Sequence, residues 1–424
     1  MAPSPESDIV IVGAGIIGVS IALLLQRAGR TVTVVDPLPP GSATSFGNAG
    51  LLSAGTNAPV ALPGIWRKVP GWLTDPEGPL AVRWSYLPTA APWLMKWILA
   101  SRKATVYAAS DALRALHRDT LDGYRDLLGP ALFADLIRTQ GGVNVFYNAV
   151  PGRNELFIRH LIARHGITVE ELDHAALQEM FPGIGPIAQR GMLLPDNGWT
   201  VNPGRLTQAI GRLFVEAGGT LRQESVMSVR PVEGGFELFG TLGDWRARTV
   251  ILATAAWTGR LLGPLGVKLP METERGYHLM LEGANITPKI PLLLRDGGMA
   301  ITPMEDGLRL AGTVEIAGLD APPDEKRARQ LLDRARLVFP ALEAASTRKW
   351  LGFRPSLPDS VAAIGPVPGL PNLYVAAGHG HTGMVGASTT ARLVRDMVTG
   401  APPCIDPAPY SLTRFTGARV SRPG

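Results

Sequence analysis

Residues 8–36 read DIVIVGAGIIGVSIALLLQRAGRTVTVVD, and this stretch constrains the fold more than any other. Residues 9–12 form a short β-branched run, the pattern of a strand buried on both faces. Gly13, Gly15 and Gly18 follow at G-x-G-x-x-G spacing. An apolar helix is expected over 16–28, stopped by Gly29, and then a second strand over 31–35 leading to Asp36. Each position has a physical task. Gly13 permits a tight turn, Gly15 lets the backbone approach a pyrophosphate, and Gly18 lets helix and strand pack closely. The helix N-terminus offers free N–H groups and the positive end of its dipole to phosphates. Asp36 can accept hydrogen bonds from ribose hydroxyls. The glycines lie between a strand and a helix, with an acid ending the next strand, so the spacing predicts a dinucleotide site. Gly13, Ala14, Gly15, Ile16, Ile17, Gly18 and Asp36 are its candidate residues. The fingerprint alone does not separate NAD from FAD.

Composition narrows the remainder. At 424 residues and 46% hydrophobic, the chain can bury a large core in two or three domains. The formal net charge is +5, but its 41 Lys and Arg are dispersed, without the dense block that tracks a nucleic-acid backbone. The positive balance suits solubility and the attraction of an anionic substrate. One cysteine, Cys404, excludes an intrachain disulfide, a cysteine metal site and a redox pair. No signal peptide and no membrane-spanning run is read, so the expected location is the cytoplasm. The Pro- and Arg-rich tail after Pro402 is expected to be poorly ordered.

Residues 41–55, GSATSFGNAGLLSAG, are small, polar and Gly-rich. Residues 352–366 read GFRPSLPDSVAAIGP, and 372–386 read NLYVAAGHGHTGMVG. Together with the fingerprint these segments resemble the FAD-dependent D-amino acid oxidase superfamily, in its D-amino acid dehydrogenase branch. The sequence departs from the pattern at Ser360 and Ala362, where Gly and often Pro are usual. The resemblance implies FAD, with Thr44 and Ser45 at phosphate or ribityl oxygens and Asn48, Ala49, Gly50 and Leu51 along the isoalloxazine. It implies that Arg354 pairs with a substrate carboxylate, a task suited to a planar two-pronged guanidinium. The turn of residues 378–384 precedes a helix expected over 385–398. Gly378, Gly380, Thr382, Gly383 and Met384 are assigned to the flavin there, with His379 and His381 as candidate bases. These two histidines lack a nearby third ligand, so no metal is expected.

The middle of the chain matches more loosely. Val226 is placed against the adenine. Thr254, Ala255 and Trp257 are placed beside the cofactor, although a glycine usually stands where Ala255 does. Residues 271–282 alternate as a strand does, so Tyr277 and His278 point to opposite faces. Tyr277 is the first candidate for a second carboxylate ligand and His278 the alternative. Residues 62–104 hold Trp66, Trp72, Trp84, Trp93 and Trp97 among cations. This segment is either a cover over the pocket or a peripheral membrane patch on the inner face. Members with covalent flavin use a cysteine near the substrate arginine. Phe353 occupies that region here, which implies non-covalent FAD.

The expected fold is α/β: a Rossmann-like FAD-binding domain with an inserted α+β substrate domain containing a mostly antiparallel sheet. The first uses 1–60, 200–270 and 350–400, and the second 105–195 and 271–345. The expected reaction is oxidative deamination of a D-amino acid by hydride transfer to flavin, with a quinone or another electron acceptor as partner. Glycine, sarcosine or D-hydroxyproline is the alternative substrate, and a non-catalytic electron-transfer subunit is the alternative role.

Overall fold

A computed structural model describes residues 7–415 apart from 56, 68, 70 and 72–79. Trp72 therefore lies outside the described residues. The fold is α/β, built on two large sheets and one small one.

The fingerprint forms as its sequence dictates. The strand Ser7–Val12 pairs in parallel with Val32–Asp36 on one side and with Asp244–Leu252 on the other. The helix Ile16–Arg27 lies between the first two strands in sequence. Thr220–Gln223 extends the parallel sheet beyond Val32–Asp36, and Leu370–Ala377 extends it beyond the C-terminal end of Asp244–Leu252. The antiparallel strands Val226–Val232 and Gly235–Gly240 complete a meander onto the N-terminal half of Asp244–Leu252. Ile9 and Ile11 face a core shared with the helices Ile16–Arg27, Pro203–Glu216 and Gly383–Thr399. Val10 and Val12 face a second core under the meander. That two-sided burial explains the unbroken apolar run. The helix Pro203–Glu216 starts where Asn202 accepts the Arg205 N–H at 3.0 Å, with Pro203 in the first turn, where no N–H is needed.

The second large sheet is mainly antiparallel. Glu272–Glu282 lies between Ser346–Ser356 and Gly307–Ile316, and Met299–Met304 and Leu292–Leu294 follow. Its outer face packs on the helix Glu325–Val338. The strand bearing Arg354 belongs wholly to this sheet, so the expected boundary at residue 350 cuts through a strand. The reason is register: Ser346–Ser356 pairs along its full length with Glu272–Glu282. The small sheet pairs Leu51–Leu52 and Ile137–Arg138 with Gly198–Thr200 and ties the Gly-rich segment to the rest.

The Trp-rich segment contributes a helix, Leu87–Ala100, that buries Trp93 and Trp97 against Ile316 and Ile65. Trp93 donates from Nε1 to the Ser356 carbonyl at 3.1 Å, two residues from Arg354. Among the described residues no helix is long and apolar enough to cross a membrane. The tail is packed further than its composition suggested. Tyr410 and Leu412 are buried, and the Tyr410 hydroxyl donates to the Ala112 carbonyl at 2.7 Å.

Candidate active site

Two glycines carry the first turn. Gly13 has φ +111, and a Cβ there would lie 2.5 Å from the Ala253 carbonyl oxygen. A Cβ on Gly18 would lie 1.9 Å from the Gly13 carbonyl oxygen. By contrast, a Cβ on Gly15 would find nothing closer than Ser45 Oγ at 3.4 Å, so the backbone at the start of the helix faces open space. Ser45 Oγ accepts the Ile16 N–H at 3.0 Å and keeps its own hydrogen to donate. Asp36 accepts the Ala14 and Leu38 N–H groups, each at 2.8 Å. Burial raises its carboxyl above the usual range, and those two N–H groups oppose the rise. Ala14 lies in this turn, and Ile16 and Ile17 open the helix behind it. The cradle beside Gly15, the hydroxyl at the helix N-terminus and the acid at the neighbouring strand end fit the phosphates and ribose of FAD.

The Gly-rich segment is held from below by the second sheet. Arg309 Nη1 donates to the carbonyls of Phe46 at 3.1 Å and Asn48 at 2.7 Å. His278 Nδ1 lies 3.1 Å from the Gly47 carbonyl, and its ring stacks on Trp350 with centroids 5.1 Å apart. A Cβ on Gly47 would fall 2.0 Å from the Trp350 ring. Thr44 Oγ1 donates to the Phe353 carbonyl at 3.3 Å, joining this segment to the strand of Arg354. Asn48 Oδ1 accepts the Gly50 N–H at 2.8 Å, and Gly50 takes φ +78, which a side chain rarely adopts. Ala49 is half-buried beside them, and Leu51 enters the small sheet.

Two further turns meet this region. Ala255 has φ +47, the left-handed conformation that explains why glycine suits this position. Thr254 lies next to Gly13, and Trp257 meets Phe353 edge-on at 5.4 Å. Gly378 and Gly380 have φ +80 and +52 and shape the turn before the helix Gly383–Thr399, whose N-cap is Thr382. Met384 is buried, and its carbonyl accepts from the Tyr124 hydroxyl at 2.6 Å. Val226 opens the meander opposite Gly240.

Arg354 lies across Glu272–Glu282. A Cβ on Gly276 would fall 2.2 Å from its Cζ, so that glycine is the slot for the guanidinium. A bulge between Arg275 and Tyr277 turns the Thr313 carbonyl, on a residue with φ +60, to accept from Arg354 Nη1 at 3.1 Å. This is the arginine's one protein hydrogen bond among the described residues, out of five N–H donors. Burial lowers its pKa and Glu274 opposes the fall.

The strand's alternation separates the candidates. Glu274, Gly276 and His278 share a face with Arg354 and Trp350. Arg275 and Tyr277 lie on the other. The Tyr277 hydroxyl donates to Glu315 Oε2 at 2.7 Å and accepts the Asp324 N–H at 2.9 Å. Burial, and then Glu315, push it up to about 12. The structure thus brings His278 to the face of Arg354 and sends Tyr277 away from it. His278 braces the Gly-rich segment, and burial lowers it to about 3, so it is neutral. His379 is buried with Nε2 3.0 Å from Thr390 Oγ1 and is likewise pushed down to about 3. His381 instead pairs with Glu274 at 2.5 Å. Arg309, Trp350, Thr313 and Glu274 escaped the sequence reading. The alternation that paired Tyr277 with His278 would have placed Glu274 beside His278, had it been followed two residues back.

A fingerprint turn, a braced Gly-rich segment and a half-open guanidinium on an antiparallel sheet define a flavin-dependent oxidoreductase. The chain belongs to the DAO family of FAD dependent oxidoreductases, whose pattern it matches over residues 8–397. It is 38% identical to a D-amino-acid oxidase of Bradyrhizobium diazoefficiens, across 97% of this chain and all of that one. It is 29% identical to a D-amino acid dehydrogenase of Vibrio cholerae serotype O1, across 92% and 95% of the two chains. In fold it is similar to glycine oxidase from Geobacillus kaustophilus, with TM-score 0.72, 24% identity and coverage of 97% and 99%.

Proposed function

We propose that the protein deaminates a D-amino acid oxidatively, with Arg354 holding the substrate carboxylate. The observation that carries this reading is the guanidinium itself. It is half-buried, seated in the Gly276 slot and fixed through one N–H to Thr313, with its other donors left for a ligand. A carboxylate can bind two of those donors in parallel, which fixes orientation as well as charge. Bound FAD supplies the two-electron acceptor for the hydride. The chain's own tasks are to seat the carboxylate, hold the Gly-rich segment through Arg309 and His278, and exclude water with Trp93 and its helix. The lone cysteine lies in the tail, where its N–H donates to Asp396, and we read the FAD as non-covalent. Acid precipitation should leave the flavin in the supernatant.

The test is anaerobic bleaching of the flavin by D- and L-amino acids, glycine, sarcosine and hydroxyproline isomers. Bleaching by D-amino acids that disappears in Arg354→Ala supports the reading. Bleaching by glycine, sarcosine or a cyclic amine alone moves the substrate class. A yellow protein that none of them reduces sinks the reading and leaves an electron-transfer role.

For the acceptor we propose a membrane quinone, reached through peripheral contact. The support is that Trp66, Trp84, Met95 and Leu99 are each about half exposed or more, at 55%, 67%, 59% and 48%. Arg67, Lys96, Arg102 and Lys103 lie exposed in the same segment. Apolar and aromatic side chains beside cations suit an anionic lipid surface. Cosedimentation with anionic vesicles that is lost in Trp84→Ser supports the contact, and no cosedimentation of the wild type refutes it.

A further inference from the structure

Arg354 accounts for only one end of a zwitterion. The amine has to lose a proton before the α-hydrogen leaves as hydride, because an ammonium nitrogen has no lone pair to form the C=N bond. Glu274 is the register partner of Arg354 on the same sheet face. Its side chain is 7% exposed, whereas that of His381, 2.5 Å away in the turn Gly380–Thr382, is 39% exposed. The carboxylate is therefore the inner member of the pair and the imidazole the accessible one. Burial alone would raise Glu274, but His381 and then Arg354 bring it below the usual carboxylate range. An ionised carboxylate only accepts hydrogen bonds, so Nε2 of His381 carries the hydrogen. In the neutral imidazole the lone pair then lies on Nδ1, which has no partner among the described residues.

We infer that His381 is the base of the amine half-site, with Glu274 as the residue that positions it. An N–H bond of the substrate ammonium breaks and a bond from that hydrogen to Nδ1 forms. The freed nitrogen lone pair becomes the second bond of C=N as the Cα–H electron pair leaves with its hydrogen to the flavin. Glu274 fixes the tautomer and balances the imidazolium, the role of an acid behind a catalytic histidine. The proton passes to water once the product has gone. The other ionisable groups around the pair do not compete. Arg354 stays charged on the neighbouring strand. Glu272, on the same strand, is raised by burial and holds the Tyr86 hydroxyl at 3.2 Å. His379 is buried on Thr390 and neutral.

This proposal rests on the amine-oxidation reading, and the experiment separates the two. Flavin reduction by D-alanine, D-proline and glycine is followed anaerobically from acid to alkaline pH, in the wild type and in His381→Gln, whose amide can still donate to Glu274. Propionate, a carboxylate without an amine, is titrated into both proteins by the flavin spectrum. Expected is propionate binding within about threefold of wild type, with reduction at neutral pH down about 100-fold. The loss shrinks tenfold per pH unit as pH rises, the variant's acid limb follows the amine's own pKa, and added imidazole restores part of the rate. Superimposable pH profiles overturn the base while leaving the amine-oxidation reading intact. A wild type that none of the three amines reduces, nor any other member of the panel, overturns both. If His381→Gln also loses propionate binding, Glu274→Gln decides. Without the negative charge the acid limb moves down by about one pH unit, and an unmoved limb overturns the proposal.

Discussion

The two faces of the strand Glu272–Glu282 are built from alternate residues of one segment, yet they differ in how their polar groups are satisfied. On one face Glu315 gathers Arg83 Nε at 2.6 Å, the Tyr277 hydroxyl at 2.7 Å and Arg275 Nε at 3.4 Å. Tyr277 spends its one O–H donor on Glu315, and Arg275 is wholly buried. On the other face, among the described residues, Arg354 makes a single protein hydrogen bond and His381 keeps Nδ1 open. A face whose charges are gathered on one buried carboxylate supports structure, even though the Arg275 guanidinium makes an ion pair there and, among the described residues, no hydrogen bond. A face with donors a ligand can reach is prepared for one. The contrast can be broken from either side.

The largest effect is expected at Glu315. Glu315→Gln removes the one carboxylate that pairs with Arg275 and Arg83 among the described residues and leaves buried positive charge without compensation. Loss of one partner from such a cluster costs about 3–5 kcal/mol. Urea denaturation should show that loss, while the propionate affinity of the folded protein stays within about threefold. Weakened propionate binding at unchanged stability would reverse the roles of the two faces.

Gly276→Ala attacks the ligand face. The new Cβ would meet Arg354 Cζ at 2.2 Å and push the guanidinium out of its slot. The loss of a well-placed charged hydrogen bond is worth about 1.5–3 kcal/mol, or roughly 10- to 100-fold in propionate affinity. Unchanged affinity in a folded, yellow variant would show that Arg354 does not need this slot.

His278 sharpens the contrast by pH. Its folded pKa, lowered to about 3 by burial and then by Arg309, lies below that of the unfolded chain. The unfolded state therefore binds the extra proton. Stability is complete above the unfolded value and falls as pH drops from there toward 3. At pH 5 the wild type should have lost about 2 kcal/mol on this account, relative to an unfolded histidine at about 6.5. His278→Gln keeps a donor for the Gly47 carbonyl and should remove that part of the acid sensitivity. Equal slopes for the two proteins between pH 7 and pH 5 would show that His278 does not titrate with unfolding.

What was legible in the sequence follows from the range of the interactions. The turn at Gly13, Gly15 and Gly18, the strand end at Asp36 and the helix after Gly383 are local, so spacing and residue type reveal them. The alternation that sends Tyr277 and His278 to opposite faces is local too. Which face meets the ligand is not, because that depends on pairing with Ser346–Ser356, about 75 residues away by the register of Gly276 with Gly352. The bulge that turns Thr313 toward Arg354 and the reach of Arg309 to Phe46 and Asn48 are long-range for the same reason. The tail reads as disorder in composition, yet it buries Tyr410 on the carbonyl of Ala112. Such contacts leave no period in a sequence.

Tyr277→Phe is the mildest test and the most direct, since the resemblance of residues 271–282 makes Tyr277 the first candidate for a carboxylate ligand, ahead of His278. Its hydroxyl bridges Glu315 and the Asp324 N–H at the start of the helix Glu325–Val338. Deleting it removes one donor from Glu315, which keeps Arg83, and one acceptor from Asp324. The expected destabilisation is about 1–2 kcal/mol, smaller than that of Glu315→Gln because no charge is left unbalanced. Propionate affinity and the pH profile of flavin reduction should match the wild type. A fall in affinity comparable to that in Gly276→Ala would mean that ligand binding frees the hydroxyl from Glu315 and carries it to the Arg354 face, so that the Glu315 face too would serve the ligand.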